Sequence, residues 1–252
     1  MVKNKPVYAF EEADSKKRML LGGKGAGLSE MTRLKLPVPP GFTITTEVCN
    51  KYYDNNGKLP KDVMPAVMKN IAKMEKKTGK KWNSTKNPLL VSVRSGAAIS
   101  MPGMMDTILN LGLNEKTVEG FAEQTKNPRF SWDSYRRFIQ LFGKVVFGVN
   151  DEKFDHVLDD AKEKQGVTDD SKLSVESLKS IVSKYKKICE EHTKRKFPDT
   201  PNEQLVLSIE AVFKSWMGER AIVYREKNNI TKDIANGTAV NVVTMVFGNM
   251  GD

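Results

Sequence analysis

Apolar residues recur every three to four positions over much of the chain, and this spacing predicts a series of amphipathic helices. The clearest early example is the stripe Val63, Val67, Ile71 and Met74, in a helix that Gly79 can end. The same spacing predicts helices at residues 26–34, 45–53, 118–124, 131–147, 154–164, 174–192 and from 201 onwards, with residues 220–225 extending the last one. The stretch from 113 to 196 is therefore expected to be helical.

Four apolar or alternating runs predict strands at residues 7–10, 42–45, 88–98 and 237–249. Residues 100–112 are expected to form a loop. Together these patterns predict an α/β (α+β) fold, in which residues 1–112 and 197–252 form a mixed α/β subdomain and residues 113–196 form an inserted helical subdomain. Because the sequence stops shortly after a core strand, we also expect the chain to be truncated.

Four glycines surround a lysine directly before the first helical pattern, in the segment Gly22-Gly23-Lys24-Gly25 with Gly27 following. Glycine lets backbone amides approach an anion closely, so the segment is a candidate phosphate cradle. It fits neither the common phosphate-loop pattern nor the dinucleotide fingerprint. A purely structural role therefore remains the alternative for this motif.

A second candidate is Arg94, which ends the apolar run Leu89–Val93 and would place a guanidinium beside a core. Such a group needs an anionic partner, which is either a ligand or an internal carboxylate. The methionine-rich loop that follows, with Met104, Asp106 and Thr107, is able to accept a flat aromatic ring beside polar groups, although methionines mostly fill gaps in cores.

Composition narrows the function classes. The chain has 252 residues, 39% of them hydrophobic, and a net charge of +10, which favours polyanionic partners. The lysines are scattered and no aromatic-interleaved basic face accompanies them, so nucleic-acid binding is the weaker alternative, to be tested by salt-dependent filter binding. The sequence has two cysteines that are far apart, and it shows no metal-ligand spacing, no apolar run of membrane-spanning length and no signal peptide. It therefore predicts a cytoplasmic protein without a metal site of its own.

Several blocks, taken in order, resemble the N-terminal nucleotide-binding region of the pyruvate, phosphate dikinase family. They include residues 20–25, 40–47, 89–97, 100–113, 127–130, 134–138, 220–225, 237–242 and 244–249. The resemblance implies the N-terminal half of an ATP-grasp type nucleotide-binding domain. It places Lys24 and Arg94 on the phosphate-binding lysine and arginine of the family and Thr244-Met245-Val246 beside the adenine. Together with the residues singled out above, the predicted nucleotide-binding set is Gly22, Gly23, Lys24, Gly25, Arg94, Met104, Asp106, Thr107, Thr244, Met245 and Val246.

The family converts ATP, phosphate and pyruvate to AMP, pyrophosphate and phosphoenolpyruvate through a phosphohistidine on a separate domain, with Mg²⁺, and the resemblance implies a homodimer at full length. The magnesium ligands, the phosphohistidine domain and the pyruvate-binding domain have no counterpart in this sequence. We therefore expect this chain alone to be inactive and to bind ATP weakly. Two alternatives stay open, a phosphoenolpyruvate synthase-type dikinase and a stand-alone nucleotide-binding or regulatory module.

Within the helical block, Arg136 and Arg137 form a basic pair between aromatic residues. Their charge and position suggest a docking surface for the mobile phosphohistidine domain. The alternative is an ordinary exposed helix face on which one arginine packs through its aliphatic stem.

Overall fold

The computed structural model describes residues 4–248 of the chain. This part contains five strands, β1 (Val7–Ala9), β2 (Gly41–Ile44), β3 (Val91–Ala97), β4 (Thr107–Leu111) and β5 (Thr238–Thr244). Its α-helices are α1 (Arg18–Arg33), α2 (Thr46–Asp54), α3 (Val63–Thr78), α4 (Thr117–Thr125), α5 (Pro128–Phe147), α6 (Asp151–Gln165), α7 (Val175–Thr193), α8 (Pro201–Ser215) and α9 (Glu219–Lys227). The architecture is mixed α/β.

The chain divides into two compact units, and the first carries the sheet. It comprises residues 4–80, 91–107 and 206–248. Four of its strands pair antiparallel in the order β1-β2-β5-β3. Helix α1 lies against β3 and β5, and α3 contacts β1 and β2. The stripe predicted for α3 is buried, and Gly79 ends that helix in the left-handed conformation, as expected.

The two faces of this sheet differ in polarity, because side chains alternate along a strand. Phe42, Val242 and Val93 are in register across the three strands β2, β5 and β3, and all are fully buried. The next register row consists of Thr43, Asn241 and Arg94 and lies on the opposite face. The first row belongs to the hydrophobic core, whereas the second places polar groups on the face against which α1 packs.

The second unit, residues 81–90 and 108–205, is mainly helical. Within it α5 packs against α4 and α7, and α6 packs against α7. Phe138, Phe142 and Phe197 are buried in its core, with ring centroids 5.4–6.2 Å apart. Ser174 caps α7 by accepting a hydrogen bond from the Ser177 amide at 3.1 Å, which confirms the predicted start of that helix.

Three elements differ from the expectations. Residues 107–111 form strand β4 instead of remaining in a loop. Residues 219–227 form a separate helix, because Gly218 interrupts the chain in an extended conformation after α8. Strand β5 ends at Thr244, and the last residue of the predicted strand, at position 249, lies outside the described residues.

Candidate functional site

The glycine segment forms a helix with a break rather than a loop. Helix α1 already begins at Arg18, but Gly22 has φ 69° and ψ 166°, so the helical conformation is interrupted there and resumes at Gly23. A Cβ at Gly22 would lie 1.7 Å from the carbonyl oxygen of Gly96 in β3. Glycine is thus required both by the backbone angles and by the close approach of β3. Lys24 consequently lies in the first turn of the second helical segment, where backbone amides favour anions.

Helix α1 contacts the polar row of the sheet through a second close approach. A Cβ at Gly25 would lie 2.7 Å from Thr43 Oγ1 and 3.0 Å from Asn241 Oδ1. Thr43 Oγ1 donates a hydrogen bond to that Asn241 oxygen at 2.8 Å, and both side chains are fully buried. Gly25 therefore has a packing role, in which the absence of a side chain lets α1 lie directly on the sheet.

A cavity of about 470 Å³ opens beside the break in α1. Lys24 and Gly23 line it from the helix, Ser95 from β3, and Ser100, Met105 and Thr107 from the segment that follows β3. Its volume falls within the usual range for small-molecule sites, about 300–1,000 Å³. The cavity thus combines a lysine ammonium, hydroxyl groups and a thioether, which suits a ligand with both anionic and apolar parts.

The electrostatics of the site are those of unneutralised cations. The pKa of Lys24 is lowered, first by partial burial of its ammonium and second by the positive charge of Arg94. Among residues 4–248 neither Lys24 nor Arg94 makes an ion pair with a carboxylate, so the internal-carboxylate alternative for Arg94 finds no partner in the part of the chain that is described. A bound anion would relieve the repulsion between the two cations, so the two residues together are a candidate anion site.

The remaining predicted site residues lie in different places. Arg94 is exposed and does not line the cavity, although Ser95, the next residue of β3, does. Met105 lines the cavity instead of Met104, and Asp106 forms an ion pair with Arg220 at 3.6 Å.

The predicted adenine segment, residues 244–246, lies at the other end of the β3–β5 ladder. Thr244 is opposite Val91, whereas Gly96 is opposite Ala239. Five residues of strand separate these positions, or about 17 Å. Thr244 is buried, and its hydroxyl donates to the Pro40 carbonyl at 2.8 Å, whereas Val246 is 67% exposed. The cavity around Lys24 thus does not include the adenine segment.

In the second unit, the two arginines of the basic pair on α5 differ in burial. Arg136 is 2% exposed, and its guanidinium contacts Asp133 at 2.7 Å and Asp170 at 3.5 Å. Arg137, the next residue along the helix, has a side chain that is 61% exposed. The expectation that both arginines form a docking surface is therefore wrong for Arg136, because its charge is neutralised inside the unit. Only Arg137 remains available at the surface.

Sequence reasoning missed Arg18, which lines the same cavity as Lys24. Its Nε donates a hydrogen bond to the carbonyl oxygen of Ala98 at 2.8 Å. The signal was hidden because Arg18 ends a charged run of a kind that usually lies in solvent, and its partner is 80 residues away along the chain. Only the packing of α1 on β3 brings the two together.

Each helix within residues 4–248 is too short or too polar to span a bilayer. The same residues contain no group of three or more His, Cys, Asp or Glu side chains placed to hold a metal ion. The donor set around Lys24 consists of cations, hydroxyls and a thioether and does not fit Mg²⁺, which prefers carboxylate oxygens and water.

An α/β unit with a glycine-broken helix and uncompensated cations beside a cavity is typical of domains that bind phosphate groups. The chain belongs to the family described as pyruvate phosphate dikinase, AMP/ATP-binding domain, whose family model matches residues 18–60 and 55–251.

Pyruvate, phosphate dikinases of several organisms are similar to this chain. The chain is 54% identical over 246 residues to the pyruvate, phosphate dikinase of Entamoeba histolytica and 51% identical over 247 residues to that of Clostridium symbiosum; each match covers 98% of the chain and 28% of the relative. It is 47% identical to the chloroplastic pyruvate, phosphate dikinase 1 of Arabidopsis thaliana, over 100% of the chain and 26% of that protein. The chain therefore spans little more than a quarter of the length of these relatives.

Proposed function

We propose that this chain is the ATP-binding portion of a pyruvate, phosphate dikinase and that it holds the phosphates of ATP at the cavity beside Lys24. The observation that carries the proposal is the proximity of Lys24 and Arg94, two positively charged residues that make no ion pair with a carboxylate among the described residues. The family match and the names of the relatives support adenine nucleotide as the ligand. The fold proposed for this portion is the N-terminal half of an ATP-grasp domain, with the helical unit as an insertion.

The proposed chemistry of the site is electrostatic. In phosphoryl transfer, charge moves over the phosphate oxygens, and fixed cations stabilise that charge more effectively in a partly desolvated site than in water. Lys24, held in the first turn after the Gly22 break, would position one phosphate group. Arg94, held by the β3–β5 ladder, would neutralise charge on the same triphosphate.

The complete reaction is proposed from the relatives' names and the resemblance, and it needs groups beyond this chain. ATP, phosphate and pyruvate would yield AMP, pyrophosphate and phosphoenolpyruvate through a phosphohistidine domain and a pyruvate-binding domain of the same full-length enzyme, in a homodimer. The Mg²⁺ ligands would also lie outside residues 4–248, which lack a suitable cluster. Cytoplasmic location and the absence of nucleic-acid partners remain predictions from the sequence.

Arg137 is the part of the docking proposal that remains. Its exposed guanidinium is partly neutralised by Asp133, with Nε 3.0 Å from the carboxylate, and it leaves donors free for an acidic partner surface. Arg137→Ala in the full-length enzyme should slow phosphorylation of the histidine domain without weakening ATP binding. Arg33→Ala, which removes an exposed arginine from the other unit, is the matched control. An unchanged phosphorylation rate with Arg137→Ala would count against docking at this position.

Calorimetric titration of the chain with ATP, ADP and AMP tests the nucleotide proposal. Affinity should fall as phosphates are removed, and ATP should bind weakly, with a dissociation constant of about 0.1–1 mM, because the chain supplies only part of the proposed site. Equal affinity for AMP and ATP would contradict phosphate recognition at Lys24. Nanomolar binding of ATP would contradict the view that the site is incomplete.

A further inference from the structure

Arg18 extends from the start of α1 to the end of β3. Its Nε donates to the Ala98 carbonyl, and its Nη2 lies 3.1 Å from the position that a Cβ on Gly23 would occupy. The guanidinium thus lies over the residue at which α1 resumes. Arg18 and Gly23 line the 470 Å³ cavity and also a neighbouring cavity of about 700 Å³. Arg18 therefore stands at the boundary of the proposed phosphate site.

The positive charge of Arg18 is not neutralised within the described residues. No carboxylate of residues 4–248 lies within ion-pair distance of it. The acidic groups that share its second cavity are engaged elsewhere. Glu30 is bonded to Arg33 and accepts a hydrogen bond from Ser15, and Asp14 accepts one from the Lys16 amide. An exposed guanidinium with one nitrogen fixed to a carbonyl still has four N–H donors on Nη1 and Nη2 to offer an anion.

We propose that Arg18 is a third phosphate-contacting group of the nucleotide site, which binds the same polyphosphate as Lys24. This inference rests on the proposed function. The bond to Ala98 fixes the orientation of the guanidinium, so that little side-chain entropy is lost when a phosphate binds. The planar fork of an arginine matches two phosphate oxygens at once, whereas the lysine supplies a point charge. The two side chains thus have complementary functions in the same cavity.

Inorganic tripolyphosphate is the probe that isolates phosphate contacts from adenine contacts, and ³¹P NMR titration of the chain measures weak binding directly. Arg18→Gln should weaken binding about tenfold, the loss of one charge-assisted hydrogen-bond pair. Arg18→Lys keeps the charge but loses the planar fork, so it should weaken binding measurably and by less than Arg18→Gln. Arg33→Gln removes the same charge from the same helix, but Arg33 lines only the 700 Å³ cavity, so binding should be unchanged.

Each other outcome overturns the proposal. If Lys24→Gln weakens binding and Arg18→Gln does not, the nucleotide site stands and Arg18 is not part of it. If Arg18→Gln and Arg18→Lys weaken binding equally and both lower the melting temperature, Arg18 acts only through its bond to Ala98. If Arg33→Gln weakens binding, the anion occupies the larger cavity. If the wild-type chain does not bind tripolyphosphate, or if Lys24→Gln has no effect, the proposed function fails together with this inference.

Discussion

Replacing Gly22 with alanine tests whether the break in α1 is required by its packing on β3. The added Cβ would lie 1.7 Å from the Gly96 carbonyl oxygen and 2.6 Å from the Gly96 carbonyl carbon, whereas ordinary contact begins at 3.4 Å. Both atoms belong to the backbone of strand β3 and have no flexible end that can turn away. Helix α1 and strand β3 must therefore separate, or the break must be remodelled.

Two contributions set the magnitude. Holding alanine at φ 69° and ψ 166° costs on the order of 1–3 kcal/mol. Forcing a methyl group into a filled contact costs about 1–3 kcal/mol more. Gly22→Ala should thus lower the free energy of unfolding by roughly 2–6 kcal/mol. This is a large part of the roughly 5–15 kcal/mol that typically stabilises a folded protein.

Urea unfolding followed by far-UV circular dichroism measures this change, and Gly27→Ala in the same helix is the matched control. Gly27 has nothing within 4 Å of its Cβ position and has ordinary helical angles. Alanine there should stabilise the chain by about 0.5–1 kcal/mol, because it reduces the entropy of the unfolded state. If the free energy of unfolding of Gly22→Ala lies within about 1 kcal/mol of the wild-type value, the close approach of β3 does not make glycine necessary at this position.

Two further predictions concern charged groups. Arg136→Ala should lower the free energy of unfolding by about 3 kcal/mol or more, because it leaves the buried Asp133 carboxylate with only one remaining partner. Arg137→Ala should change the free energy of unfolding by less than about 1 kcal/mol, because Arg137 is exposed. Equal losses for the two variants in urea unfolding would contradict the difference in burial. The affinity for tripolyphosphate should fall as pH rises through the lowered pKa of Lys24, and Arg94→Gln should move that fall to higher pH, because it removes a neighbouring positive charge. A pH profile that is the same in Arg94→Gln and in the wild type would contradict the proximity of the two cations.

The sequence predicted the helices well wherever one face is apolar over several turns, as in α3 and α7. The prediction failed at β4. Asn110 and Gly112 are residue types common in turns, and both adopt positive φ angles, so the segment resembles a loop in sequence. The prediction also joined α8 to α9, although Gly218 was a visible signal of the break. The break between α8 and α9 could therefore have been predicted from local sequence, whereas β4 could not, because a strand is fixed by pairing that local propensity does not identify.

The site was partly visible in the sequence. The glycine pattern drew attention to Lys24, and the close approaches at Gly22 and Gly25 account for two of the four glycines around it. The sequence could not separate Arg136 from Arg137, since adjacent helix residues point in different directions and the burial of one depends on Asp170, which is far along the chain. Nor could it identify Arg18, because a hydrogen bond to a backbone carbonyl leaves no trace in residue type.

The most direct test of the account is ATP and AMP binding to four forms of the chain, measured by calorimetry: the wild type, Lys24→Gln, Arg94→Gln and the double variant. We predict that each single change weakens ATP binding about tenfold and leaves AMP binding much less affected. The double variant should depart from additivity by about 0.5 kcal/mol or more, because both cations contact one polyphosphate. Unchanged ATP affinity in either single variant, or an equal loss for AMP and ATP, would contradict the claim that Lys24 and Arg94 meet around the same triphosphate.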